Sequence, residues 1–329
     1  MKKKLKEHER QKNYIILAEN AYLSGNKKSS IKFYKKALNF RIGQDSHMTI
    51  LYNMAYIYDE IEENSNALKI YNEILEIDKT QGGAYYGIAI INEKLGNKDV
   101  ALKYYNKAIK ADPNYDRAYY YAGNLYDEKG NKEKAIEYFL KAIELEPEDY
   151  IAYNNIGSIY EEMGQYDKAF HMVEKSLSIK PDYYKSLFNM GVIFSRIHNS
   201  MEAIKYYNKS IEENSKHWQS YLNISAIYIA EEKLEEAIEI LTKGIKNNPV
   251  AHDLYYNRAC CYSKLGHSKK AIDDIRKAII LLPGIMKYIK ADKDFVNLYD
   301  NKEFINLMER VKEEILVNNE YINKIESEE

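Results

Sequence analysis

Apolar side chains recur along this chain at spacings of three and four residues, in short segments that polar turns separate. Within a segment, a small residue follows an aromatic or leucine side chain by four positions, and in most segments another ring comes three positions later. These spacings place the side chains on one face of an α-helix. Each unit of the pattern contains two such faces, so the chain is predicted to be all-α, with helices and turns alternating.

The pattern has a period of 34 residues. The prolines fall in one column, in which Ser215 takes one place: Pro113, Pro147, Pro181, Pro249 and Pro283. A column of small residues keeps the same step: Ala55, Ala89, Gly123, Gly157, Gly191, Ser225 and Ala259. Small residues allow two helices to cross closely, and proline stops the second helix of each unit. Each unit is therefore predicted to be a packed helix pair.

One unit shows the pattern in full: Ala118-Tyr-Tyr-Tyr-Ala-Gly-Asn-Leu-Tyr126, followed by Gly130, Ala135, Phe139, Ala142 and Pro147. These columns resemble the tetratricopeptide repeat. The resemblance implies a right-handed α-solenoid, or superhelix, of about eight helix pairs. We number the predicted copies one to eight along the chain: 11–44, 48–81, 82–115, 116–149, 150–183, 184–217, 218–251 and 252–285.

Two segments depart from the period. Residues 45–47 indicate a short insertion after copy one, and residues 286–329 follow copy eight without the repeated columns. We expect 1–285 to form the repeat array and 286–329 to form a C-terminal helical cap, with a last, strongly charged helix at about 302–327. A polar outer face is what a terminal cap needs.

Charge and composition narrow the function. The chain carries 48 basic and 50 acidic residues, a balance that disfavours nucleic acid as a partner. No stretch is long and apolar enough to predict a membrane span, and no apolar run follows the charged N-terminus, so no signal peptide is expected. The adjacent Cys260 and Cys261 indicate no disulfide framework. Together these features predict a cytoplasmic protein.

We find no pattern typical of a catalytic or metal site. The seven histidines form no pair at helical spacing with metal-ligand partners, and the segment 25–29 lacks the first glycine and the strand of a phosphate-binding loop. The adjacent cysteines are expected to pack, one in the core and one toward the groove. The chain is therefore predicted to be non-enzymatic, with no cofactor and no metal.

An asparagine column suggests how a partner is held. Its members come two positions after the aromatic column: Asn53, Asn155, Asn189, Asn223 and Asn257. The resemblance places this column on the first helix of each pair, facing the concave surface. Because an amide both donates and accepts hydrogen bonds, such a column can hold the backbone of an extended peptide, as in the asparagine ladder of some relatives. The other interpretation is that asparagine is simply the usual residue of the family here.

Neighbouring positions suggest specificity. In copies six to eight, apolar residues accompany the asparagines: Phe188, Val192, Leu222 and Tyr256. Copy four has Tyr120 and Asn124 in the same places, and copies four and five end their first helices with acids: Asp127, Glu128, Glu161 and Glu162. One hypothesis is a ligand with apolar side chains toward copies six to eight and basic ones toward copies four and five. The alternative is that these acids form a solvated rim.

The sequence thus favours a protein–protein interaction scaffold or adaptor that binds an extended peptide or partner segment in a concave groove. Two other functions fit the same resemblance: a targeting module of a glycosyltransferase-type enzyme, and a peptide-sensing regulator whose solenoid tightens on binding. The sequence specifies neither the partner nor the oligomeric state.

Overall fold

Short turns join successive helices that pack against each other in pairs. The structure, a computed structural model, describes residues 2–40 and 44–309, and this part of the chain contains α-helices and short 3-10 helices without a strand. The prediction of an all-α fold built from consecutive helix pairs is confirmed. None of the helices in these residues is long and apolar enough to cross a bilayer.

The chain divides into two compact units, Met1–Ile159 (the N-unit) and Tyr160–Glu329 (the C-unit), and the boundary falls within one helix. The helices of the first part are α1 (Lys2–Leu23), α2 (Lys27–Ala37), α3 (Gln44–Glu60), α4 (Asn64–Ile77), α5 (Gly82–Lys94), α6 (Lys98–Ala111), α7 (Asp116–Glu128), α8 (Lys132–Leu145) and α9 (Tyr150–Glu162). The C-unit continues with α10 (Tyr166–Ile179), α11 (Tyr184–Arg196), α12 (Ser200–Glu213), α13 (Trp218–Ala230), α14 (Leu234–Asn247), α15 (His252–Lys264) and α16 (Ser268–Leu281).

The turn inside each pair has a left-handed residue at one fixed position. In five copies this residue is glycine, with φ between 72° and 79°: Gly25, Gly96, Gly130, Gly164 and Gly266. In the other three copies a residue with a side chain adopts the same conformation, with φ near 60°: Glu62, His198 and Glu232. The repeat thus imposes the left-handed turn even where the sequence lacks the residue that favours it.

The small-residue column lies where the two helices of a pair cross. A methyl group added at Gly191 would come within 2.6 Å of the Tyr207 ring, and one at Gly123 within 3.0 Å of the Phe139 ring. Both rings are nearly completely buried. The column is therefore small because a large ring of the second helix fills the space above it.

Beyond copy eight, the chain packs back on the last helix pair. It forms 3-10 helices at Pro283–Ile285 and Lys293–Leu298, the short helix α17 (Met286–Ile289), and a helix from 302 to 309, where the described residues end. Phe295, Leu298 and Phe304 are buried against Ile275 and Ile279 of α16. The rest of the predicted last helix, 310–327, lies outside the described residues.

Candidate functional site

The predicted asparagine column lies on the first helix of successive pairs, and each of its side chains is half-buried. In the N-unit, Asn53 lies on α3 and Asn155 on α9. In the C-unit, Asn189 lies on α11, Asn223 on α13 and Asn257 on α15. Each unit therefore presents part of the column, and its members differ in what they contact.

Two of the asparagines bind a tyrosine on the second helix of the preceding pair. The Asn53 Nδ2 donates to the Tyr34 hydroxyl and the Asn223 Nδ2 donates to the Tyr207 hydroxyl, each at 3.1 Å. Burial raises the pKa of Tyr207 to about 12, so its hydroxyl keeps its proton at neutral pH. Each pair retains the amide oxygen as an acceptor and the phenol hydrogen as a donor, the two groups that one peptide unit requires.

Both tyrosine–asparagine pairs line a cavity. In the C-unit the cavity measures about 400 Å³, and Val192, Ala226, Ile227 and Ala230 supply its apolar wall. Its polar rim consists of Ser195, Arg196, His198, Ser200 and Glu231. In the N-unit the cavity measures about 340 Å³, and besides the pair itself it is lined by Glu19, Tyr22, Leu23, Tyr56 and Ile57. Equivalent helices thus form a concave site in each unit.

The helix pairs that precede the other three asparagines have no tyrosine at the position of Tyr34 and Tyr207. Asn155 follows a copy with Phe139 in the tyrosine position, and its Nδ2 lies 3.4 Å from the Tyr120 hydroxyl and 3.3 Å from the Asn124 Oδ1. Asn257 donates at 2.8 Å to the Asp253 carbonyl of its own helix. The amides of the predicted ladder are therefore not equivalent.

On α5 and α7 the asparagine column is interrupted, and an aromatic ring takes the place of the amide. Gly87 stands in the column on α5, directly against the Tyr71 ring, which a side chain at this position would meet. On α7 the column holds Tyr121, whose ring stacks on Tyr105 with the centroids 5.9 Å apart. Both residues pack on a tyrosine in the position that Tyr34 and Tyr207 occupy before Asn53 and Asn223.

The predicted apolar positions of the C-unit are partly covered by other side chains. Phe188 packs on Tyr207 and on His217, with ring centroids 5.6 and 4.7 Å apart, and Leu222 and Val192 pack on the same cluster. Tyr256 donates to the Asp292 carboxylate. The segment after copy eight therefore lies on the apolar position of that copy.

The predicted acids are largely paired with bases. In the C-unit, Glu161 accepts from the Arg196 Nε at 2.6 Å. In the N-unit, Glu128 lies 2.8 Å from the Lys98 ammonium and Asp127 lies 3.7 Å from that of Lys132. Glu162 is exposed. Because these pairs neutralise much of the negative charge, the acids have less attraction for a basic ligand than the sequence suggests.

One cluster holds groups capable of binding a metal. The Cys260 thiol and the carboxylates of Asp292 and Asp294 offer ligand atoms within 4.8 Å of one another. However, the Asp294 carboxylate lies 3.0 Å from the Lys264 ammonium, and the Asp292 carboxylate accepts from Tyr256. Burial raises the pKa of the Cys260 thiol, which opposes the thiolate form that binds metals. The contacts indicate that this cluster anchors the C-terminal segment.

Comparison with protein families identifies the repeat. Models described as tetratricopeptide repeat match residues 52–116, 86–147, 138–171, 219–250 and 252–285, which together cover more than half of the chain. The chain belongs to the tetratricopeptide repeat family. No curated protein matches it significantly.

Solved structures share the tetratricopeptide repeat fold with this chain. A chain of the Cut9–Hcn1 hetero-tetramer of the APC/C is similar at 15% identity and a TM-score of 0.55, over 89% of this chain and 54% of its own. PilF of Pseudomonas aeruginosa is similar at 17% identity and a TM-score of 0.54, over 65% of this chain and 97% of its own. MamA is similar at 25% identity and a TM-score of 0.46, over 51% of this chain and 92% of its own.

Sequence reasoning missed several residues of these tetratricopeptide repeat surfaces. Tyr34 and Tyr207 share one place in the repeat, so a search of the second-helix columns for hydroxyls would have found them. Arg196 follows Glu161 by 35 residues, and Lys94, 2.7 Å from Asp59, follows it by the same number. The sequence therefore contained a signal for these ion pairs: an acidic residue in one copy is followed, 35 residues later, by a basic residue in the next copy.

Proposed function

We propose that this chain is a protein–protein interaction module that binds an extended segment of a partner in its C-unit. The binding surface is formed by the first helices of successive pairs, α11, α13 and α15. The observation that supports the proposal is the cavity of about 400 Å³ that holds the Tyr207–Asn223 pair. A donor and an acceptor beside an apolar wall match a peptide unit and the side chain next to it.

Charge indicates which side chain fits. The two charged residues of the rim are each paired, Arg196 with Glu161 at 2.6 Å and Glu231 with Lys233 at 2.7 Å. No excess charge is therefore available to a ligand from these residues. A neutral, aliphatic side chain suits this cavity, since Val192 and Ile227 would cover it.

The energies favour a ligand with several contacts. Burying one leucine or isoleucine side chain contributes about 1.5–3 kcal/mol, and each hydrogen bond to the pair contributes about 0.5–1.5 kcal/mol. Because association costs at least about 4 kcal/mol of translational and rotational freedom, one cavity alone supports only weak binding. The segment is therefore expected to extend over more than one helix pair.

An array of short random peptides, probed with the full chain, tests the proposal. Peptides with an isolated aliphatic residue are expected to bind, and Ala226→Phe, which fills the cavity from an exposed position, is expected to abolish their binding. Asn223→Ala should weaken it about fivefold through the lost amide contacts. The matched control is Asn257→Ala, since that amide donates within its own helix and is not among the cavity-lining residues.

Two results would contradict the proposal. One is an array on which no peptide binds the wild-type chain above background. The other is unchanged binding by Ala226→Phe, because a filled cavity cannot accept the same side chain. The exposed control Lys243→Phe on α14, which adds the same ring away from the cavity, shows whether a new aromatic residue alone alters binding.

A further inference from the structure

We infer that the N-unit contains a separate binding site for a basic side chain, lysine or arginine, of a partner polypeptide. The site is the open cavity of about 340 Å³ that residues of α1, α2 and α3 line. The inference rests on the proposed function in one respect, that the ligand is a polypeptide. The inference adds a second site whose ligand is a basic side chain, whereas the C-unit cavity suits a neutral, aliphatic one.

Aromatic rings form much of the cavity wall. Tyr22, Tyr34 and Tyr56 line it, and the ring centroids of Tyr22 and Tyr56 lie 6.4 Å apart at an interplanar angle of 61°. The Tyr22 hydroxyl donates to the Glu60 Oε1 at 3.1 Å, which holds the ring in place. The faces of tyrosine rings attract cations.

The same repeat positions are occupied differently in the C-unit. Val192 takes the place of Glu19, and Ala226 takes that of Tyr56. The C-unit cavity therefore has an aliphatic wall where the N-unit cavity has a carboxylate and a ring. Since both cavities contain a tyrosine–asparagine pair, these two substitutions are expected to give the cavities different ligands.

The charge of the N-unit cavity is negative. Among the described residues, no lysine or arginine forms an ion pair with Glu19. Glu60 lies 3.4 Å from the Lys27 ammonium, so these two charges offset each other and that of Glu19 remains. Burial raises the pKa of Tyr34, the Asn53 donation opposes the rise, and the charge of Glu19 adds to it, as expected for a carboxylate near this hydroxyl.

A basic side chain fits these groups along its whole length. Its ammonium or guanidinium group would lie against the rings and near the Glu19 carboxylate, with the Asn53 amide oxygen as a further acceptor. Its aliphatic stem would pack on Leu23 and Ile57. The chain's own Lys27 forms an ion pair with Glu60, the carboxylate that accepts from the cavity-lining Tyr22.

The test reads the N-unit directly in the full chain. Ser24 is exposed and adjacent to Leu23, and both native cysteines are buried, so Ser24→Cys can be labelled selectively with an environment-sensitive dye. The probes are four pools of short random peptides that differ at one fixed position, which holds lysine, arginine, norleucine or glutamate. Norleucine keeps the aliphatic stem without the charge.

The lysine and arginine pools are expected to bind about fivefold more tightly than the norleucine pool, with the glutamate pool weakest. Glu19→Gln should reduce this preference to nearly nothing. Glu9→Gln is the matched control, because Glu9 is also exposed on α1 but does not line the cavity, and it should leave the preference unchanged. Thermal melts establish that both variants fold.

Equal binding of the lysine and norleucine pools, or an equal loss in Glu9→Gln and Glu19→Gln, would overturn the inference. Trp218, which packs on the apolar cluster of Tyr207 and Ile227, reports binding to the C-unit in the same titrations. If the Trp218 emission responds to the norleucine pool while the dye shows no charge preference, only the N-unit site fails. If neither reporter responds to any pool, the proposed function fails with it.

Discussion

Asn223 donates its amide hydrogen to the Tyr207 hydroxyl across the boundary between two successive helix pairs, at 3.1 Å. The tyrosine ring lies deep in the core, with only 1% of its surface exposed, while the amide lines the cavity. The hydrogen bond therefore connects the packing of one helix pair to the surface that the next pair presents. A change in the core beneath the ring is expected to reach the cavity through this bond.

Gly191→Ala tests that connection. The added methyl group would lie 2.6 Å from the Tyr207 ring, so the ring or the helix must move. We expect a loss of about 1–3 kcal/mol in the free energy of unfolding, measured by urea denaturation. Peptide binding to the C-unit should weaken as well, because Asn223 loses its fixed partner.

Gly123→Ala is the control for this prediction. Its methyl group would meet the Phe139 ring at 3.0 Å, so the strain is smaller, and Phe139 has no hydroxyl to position an asparagine. A smaller loss of stability and unchanged binding to the C-unit are expected. If the two variants lower stability equally and neither affects binding, the small-residue column does not control the cavity.

The repeat period predicts much of this fold for a physical reason. Each helix pair contacts mainly its neighbours, so residues 34 positions apart meet similar surroundings, and a column such as Ala135 and Ala169 keeps its role along the chain. The positions of the asparagines on the first helices follow from the same argument. A column does not specify the hydrogen-bond partner of each of its residues, because that partner lies in a different column of the repeat.

The contacts of the site illustrate that limit. Asn53 and Asn257 share a column, yet one binds Tyr34 and the other its own helix, because Leu241 replaces the tyrosine before Asn257. Likewise, Tyr256 of copy eight contacts Asp292, which follows the last copy. The 34-residue period does not extend to Asp292, so it could not predict this contact. These differences arise from pairs of residues in neighbouring copies, which the pattern of a single column does not contain.

Glu232→Gly is predicted to stabilise the C-unit. Glu232 has a φ of 59°, in the left-handed region, where five other copies have glycine. Relief of this conformation should raise the free energy of unfolding by about 0.5–1 kcal/mol, since a side chain costs roughly that much there. Glu235→Gly, on the first turn of α14, is the control and should lower stability. Destabilisation by both variants would contradict the prediction.

Arg258 and Asp274 form a buried pair whose separation is predicted to be costly. The Arg258 Nε and Nη2 donate to the two carboxylate oxygens at 2.7 and 2.8 Å, and Asp274 is 6% exposed. Burial raises the pKa of Asp274, although the guanidinium opposes that rise. Arg258→Met leaves this carboxyl without its partner, so we expect a loss of about 3 kcal/mol in the free energy of unfolding.

The double variant Arg258→Met with Asp274→Leu distinguishes the charge from the packing. It removes both polar groups and fills a similar volume, so it should recover most of the stability that Arg258→Met loses. Urea denaturation of the single and double variants measures the difference. A double variant as unstable as the single one would show that the guanidinium acts through its packing between Tyr255 and Tyr262, whose ring centroids lie 5.9 and 5.8 Å from it.

His217 is predicted to make the C-unit sensitive to acid. Burial lowers its pKa to about 4, and the charge of Lys185 adds to this effect, while the ring packs on Phe188 and the Nδ1 lies 2.9 Å from the Ser220 hydroxyl. In the unfolded chain the pKa returns to about 6.5, so between these values the unfolded state binds more protons. Stability is therefore fully present above pH 6.5 and falls as the pH decreases toward 4.

We expect the free energy of unfolding to fall by on the order of 2 kcal/mol between pH 6.5 and pH 4. This is less than the full pKa difference implies, because the ring is only partly buried and water screens its charge. His217→Gln removes the titrating group, so its stability should change less between pH 6.5 and pH 4 than that of the wild type. Chemical denaturation across this range measures both slopes, with His267→Gln on an exposed side chain as the control. If the wild type and His217→Gln lose stability in parallel, the acid sensitivity comes from other groups, since only His217 distinguishes the two proteins.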